Sequence, residues 1–98
     1  VTEWVSEDET ITCYDDKTFS VKLEGSVAVT GTYSGDTTKS DVEIVIKVEK
    51  IMEAMLGSDP ESTKWVSFEK IGTGKISKDG KTMKVTIPDL GGGTYTKK

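Results

Sequence analysis

Between Val42 and Val48 the chain alternates with a period of two. Val42, Ile44, Ile46 and Val48 fall on one set of positions, and Glu43 and Lys47 fall on the other. A helix gathers residues three and four apart onto one face, whereas a strand sends successive side chains to opposite faces. This spacing therefore reads as a strand with one dry face and one wet face. The same rhythm recurs along most of the chain, so the chain must build a sheet that buries one side.

Strands are expected over 1–6, which carries Trp4, and over 9–14, where Ile11 and Cys13 share a face. Next come 18–23, with Phe19, Val21 and Leu23 together, and 26–34, with Val27, Val29 and Tyr33 together. Gly31 lies on that last face, as at a bend or a close approach of another backbone. Further strands are expected over 41–50, 63–71 and 75–77, with a break at Gly72 or Gly74, then over 81–87 and 94–96. Asp15-Asp16-Lys17, Glu24-Gly25-Ser26 and Asp79-Gly80 supply turns, the last tolerating the positive φ that tight hairpins require. Pro88 stops a strand, and Gly91-Gly92-Gly93 bends before Tyr95.

One stretch departs from this rhythm. Residues 50–56 are rich in helix formers, and Ile51, Met52, Met55 and Leu56 are spaced as on one face of a short helix. Gly57 would end it, and Ser58-Asp59-Pro60-Glu61 offers a turn or a second short helix.

A length of 98 residues suits a single domain over 1–98 with one core. Closely spaced strands joined by short turns favour antiparallel neighbours in a meander. The expected class is all-β: an antiparallel meander closed or nearly closed into a small barrel of about eight strands, with one short helix between strands. A two-sheet sandwich is the competing architecture; continuous alternation and the lack of a cysteine pair favour the barrel.

Composition narrows function by what is missing. The chain has no His, Arg, Asn or Gln. It therefore lacks the usual proton switch, the commonest transition-metal ligand and a His-activated nucleophile. It also lacks a guanidinium fork for phosphates and side-chain amides for reading bases or sugars. The reading is non-enzymatic, with no catalytic residue, metal or cofactor. Lone Cys13 reads as a buried, inert thiol. The acids Glu7, Asp8, Glu9, Asp15 and Asp16 lack the spacing of a calcium loop. Neither Gly72-x-Gly74 nor the glycine triplet opens a helix that could cradle phosphate.

The formal charge of −4 divides unevenly. Residues 1–63 hold five lysines against fourteen acids, and residues 64–98 hold eight lysines against three. In a closed barrel the last strands meet the first, so opposite charges would face each other there. A negative total without Arg argues against nucleic acid. No apolar run approaches the ~20 residues of a membrane helix, and no stretch reads as a secretory leader.

Trp4-Val5-Ser6, Thr18-Phe19-Ser20-Val21, Val29-Thr30-Gly31-Thr32-Tyr33 and Ile76-Ser77-Lys78-Asp79-Gly80-Lys81-Thr82 together resemble the small bacterial lipocalin-like (calycin-type) β-barrel domains. The resemblance spans most of the chain. It implies a ligand-holding barrel and an extracytoplasmic setting, as in exported proteins or lipoproteins.

Two functions follow as expectations. In the first, the barrel holds a small, mainly apolar ligand contacted by Trp4, Phe19, Tyr33, Met52, Met55, Leu56 and Phe68. Adaptable methionines on the short helix would form its lid. In the second, the same helix plugs a filled barrel. The outer face, including Lys75, Lys78 and Lys84, then meets a protein partner or an envelope component.

Overall fold

The computed structural model describes residues 1–56, 61 and 63–98. Eight strands follow in order: β1 Thr2–Ser6, β2 Glu9–Cys13, β3 Thr18–Leu23, β4 Ser26–Ser34, β5 Glu43–Met52, β6 Trp65–Ile76, β7 Thr82–Ile87 and β8 Gly91–Lys97. Each pairs antiparallel with its neighbour in sequence, and β8 returns to β1 to close a barrel. The meander barrel is thus the architecture, not the sandwich.

The alternation does what its period requires. Along β5, Ile44, Ile46 and Val48 are buried while Glu43, Val45 and Lys47 are exposed. Trp4, Ile11, Phe19, Val29, Ile76, Met83 and Tyr95 complete one continuous core. Complete burial of an aliphatic side chain such as Ile44 or Ile76 contributes about 1.5–3 kcal/mol, so the inward stripe drives closure.

The expected helix over 50–56 does not form. Strand β5 runs on through Met52, and only Glu53–Leu56 turn, as a single 3-10 turn. Ile51 pairs with Val66, and Met52 pairs with Trp65. The expected set thus straddles the strand end and the turn, and a bulge lies just before it. The β4–β5 register passes from Thr30↔Lys50 to Gly31↔Val48, leaving Glu49 as an extra residue. That shift puts Val48 and Ile51, three apart in sequence, both inside. A bulged strand thereby counterfeits helical spacing. Gly57 and the proposed turn at Ser58-Asp59-Pro60 lie outside the described residues.

Two smaller expectations also change. Strand β6 is continuous through Gly72 and Gly74. Both glycines are buried, and Gly74 leaves room for Met83 and Ile46. A second bulge lies between β3 and β4, where Val21↔Val29 is followed by Lys22↔Val27. Ala28 is the residue left over. It is buried, whereas Val27 is only half-buried, so Val27 and Val29 do not share one inward face.

At one end of the barrel lie the β1–β2, β3–β4 and β7–β8 hairpins and the Glu53–Leu56 turn; we call this end the mouth. The Glu53 N–H donates to the Lys64 carbonyl (2.9 Å) and ties the base of the β5–β6 connection. At the opposite end aromatic and turn contacts cover the core, and a polar cleft of about 270 Å³ lies among Thr2, Lys17, Tyr33 and Asp36. The Tyr33 hydroxyl donates to the Tyr14 carbonyl (2.6 Å), and Lys17 lies over the Tyr33 ring.

Candidate functional site

The barrel centre is nearly solid. A void of about 20 Å³ remains among Phe19, Tyr33, Ile44, Ile46 and Met83. Toward the mouth the packing opens into an apolar slot of about 110 Å³. Ile11, Val21, Leu23, Val29 and Val85 form its depth, Ile87 and Leu90 its side, and Met55 reaches it from the 3-10 turn. At about 110 Å³ the slot is smaller than the roughly 150 Å³ cavity that encloses benzene, so it suits a short hydrocarbon chain or a single ring that enters partway from the vestibule.

Above and beside the slot is a wider polar vestibule of about 450 Å³. It exists because the closing seam is short. Strand β1 ends at Ser6, and its register with β8 comprises only Trp4↔Lys97 and Val5↔Thr96. Strand β8 continues past that point toward the mouth, paired only with β7 from Gly91 to Tyr95. Ser6, Glu7, Asp8 and Glu24 border the resulting notch opposite Gly92 and Gly93.

Glu9 joins the two spaces. It stands two and four residues before buried Ile11 and Cys13, on the inward face of β2. It lines both slot and vestibule, as do Leu23, Gly92 and Tyr95. The buried Tyr95 hydroxyl donates to Glu9 Oε2. Burial first, then this bond and the Glu9 charge, hold the Tyr95 phenol well above its ordinary value of 10.0. Tyr95 therefore stays a neutral donor, and it orients the carboxyl toward the mouth.

The residues expected from sequence to contact a ligand are not all brought together. Met55 lines the slot. Phe19 and Tyr33 border the small central void instead. Trp4 is wholly buried in the core, and its indole N–H has no hydrogen-bond partner among the described residues. Met52 and Phe68 are partly buried against the core and border neither the slot nor the vestibule. Leu56 ends the 3-10 turn, with its side chain outside the described set.

Sequence reasoning passed over Glu9, Leu23, Ile87, Leu90 and Tyr95 as lining residues. Alternation alone could have flagged Glu9: it is a carboxylate at a position where the stripe calls for an apolar side chain. Which residues crown the mouth depends on register and strand length, and those are set across strands.

Burial pushes the Cys13 thiol up to about 11 from 9.0, as expected of an inert core cysteine. Among the described residues, no group of three or more His, Cys, Asp or Glu is placed to hold a metal ion. No helix among them is long and apolar enough to cross a membrane. Lys98 Nζ lies 3.6 Å from Glu3, so opposite charges do meet at the seam, although such an exposed pair contributes little.

The closed eight-stranded antiparallel barrel is consistent with the lipocalin-like fold that the sequence resembles. In comparisons with protein-family models, curated proteins and solved structures, the chain matches none.

Proposed function

We propose that this chain is a non-enzymatic binding domain that holds a small, mainly apolar ligand at the mouth of its barrel. One observation carries the reading: the barrel centre keeps a void of only about 20 Å³, yet an apolar slot of about 110 Å³ bordered by Met55 is left toward the mouth. A plugged barrel would spend that volume on side chains, because core gaps are destabilising. Here the methionine borders a space instead of filling it. The resemblance to exported lipocalin-like domains adds an extracytoplasmic location to the proposal.

The test is a titration with benzyl alcohol, a neutral compound of fitting size, followed by amide and methyl NMR. Saturable shifts at Leu23, Met55, Ile87 and Leu90 are expected, with a dissociation constant on the order of 1 mM for so few atoms. Met55→Asp removes them while the circular dichroism stays that of a sheet. Shifts that never saturate, or that scatter over the outer face, overturn the reading.

A second reading has its own support: the centre is nearly filled, and Lys75 stands directly opposite Lys84 on the outer face. Like charges set face to face cost stability. Glu43 pairs with Lys75 from β5 and offsets part of that repulsion; a protein partner or envelope component bearing acidic groups would relieve the rest, with Lys78 in the neighbouring hairpin adding to the attraction. This reading predicts an empty mouth in the benzyl alcohol titration.

A further inference from the structure

We infer that the ligand of the mouth is an amphipathic cation: a small apolar group in the slot, carrying an ammonium that meets Glu9. The inference rests on the apolar-ligand reading and adds the charge of the bound molecule.

The inward placement of Glu9 carries it. Glu9 is half-buried and places a carboxylate against both the apolar slot and the polar vestibule. Tyr95 occupies Oε2. Oε1 has no partner among the described residues, and Glu9 belongs to no ion pair there. The geometry thus leaves one carboxylate oxygen at the junction of an apolar slot and a polar vestibule.

The vestibule repeats the same sign. Glu7, Asp8 and Glu24 border it, no lysine does, and none of the three forms an ion pair among the described residues. Walls of one sign around a low-dielectric cleft concentrate the opposite charge. An anion meets only repulsion there, since the Tyr95 hydroxyl already donates to Glu9. A neutral alcohol would satisfy Oε1 with one hydrogen bond. A primary ammonium adds to such a bond the attraction between two full opposite charges, which an alcohol lacks.

Benzylammonium, benzyl alcohol and benzoate share one ring and differ in charge, so NMR titration of all three at low salt isolates the effect. Benzylammonium is expected to shift Leu23, Met55, Gly92 and Gly93 at a single site, about tenfold tighter than benzyl alcohol. Benzoate is expected not to saturate. Glu9→Gln keeps an acceptor for Tyr95, and on that variant benzylammonium and benzyl alcohol should bind alike, the tenfold preference being lost. If Glu9→Gln perturbs folding, the comparison of the three compounds on the wild-type chain decides alone. Equal binding of the alcohol and the ammonium overturns the cation inference and leaves the apolar reading standing. Benzoate binding as tightly as benzylammonium has the same consequence. If none of the three reaches the slot, the apolar reading falls too.

Discussion

At Gly31 the smallest side chain is a steric requirement. A Cβ there would run into the Lys47 carbonyl and come within 2.8 Å of the Phe19 ring. Backbone on a paired strand cannot retreat without breaking its ladder, so Gly31→Ala should destabilise the barrel by about 1–3 kcal/mol. Urea denaturation checks this; an unchanged midpoint would mean that β5 can shift. The close approach was legible in sequence, because a glycine sat where the inward stripe called for bulk. That the indole N–H of Trp4 finds no partner among the described residues was not legible. A sequence places a tryptophan in a core without telling which acceptors will face it, and leaving such a donor unmet costs about 1–3 kcal/mol.

At the scale of elements, aspartates build the turns at the end opposite the mouth. Asp16 Oδ1 accepts from the Thr18 N–H (3.0 Å) and hydroxyl, Asp36 Oδ1 from the Thr38 N–H (2.9 Å), and Asp79 Oδ1 from the Lys81 N–H (3.0 Å). Side-chain hydrogen bonds from Thr18, Thr38 and Ser77 are the leading cause that holds these three carboxyls below their ordinary 3.8. A carboxyl depressed on folding lends its stability above that ordinary value and loses it as pH falls through the lowered folded value. Thermal melting should therefore drop as pH is lowered through 3.8, and Thr18→Val should blunt part of that drop. A melting temperature insensitive to acid would show that the turns form without their aspartates. The turns at Asp16 and Asp79 were readable in sequence because Asp with Gly or Thr nearby is local chemistry. The 50–56 region misled because β5 runs on through Met52 by pairing with Val66 and Trp65 of β6, and helix propensity in so short a stretch yields to such pairing.

For the whole molecule, the seam is the weakest joint. Strands β5 and β6 share a long register from Glu43↔Lys75 to Met52↔Trp65, while β1 and β8 share only Trp4↔Lys97 and Val5↔Thr96. Closing that seam joins opposite ends of the sequence, the entropically slowest contact in a barrel. Local opening should begin there. In native-state hydrogen exchange, the hydrogen-bonded amides of the seam should exchange well before those of Ile44, Ile46 and Val48. Equal protection would mean that the barrel opens only as one unit. The same shortness of β1 leaves the notch through which the mouth communicates with solvent, so the seam and the proposed site share one cause.

The sequence by itself determined the strand class, the inward stripe, most of the turns and a meander closed or nearly closed, because alternation and turn chemistry act over a few residues. It also settled which side-chain chemistries are absent. Tertiary structure alone decided where the bulges fall, how far β8 overshoots β1, and that Glu9 and Tyr95 meet beneath Met55. Those features depend on register between strands distant in sequence, and a two-residue period is blind to register: it says which face a side chain takes, not which neighbour it will face.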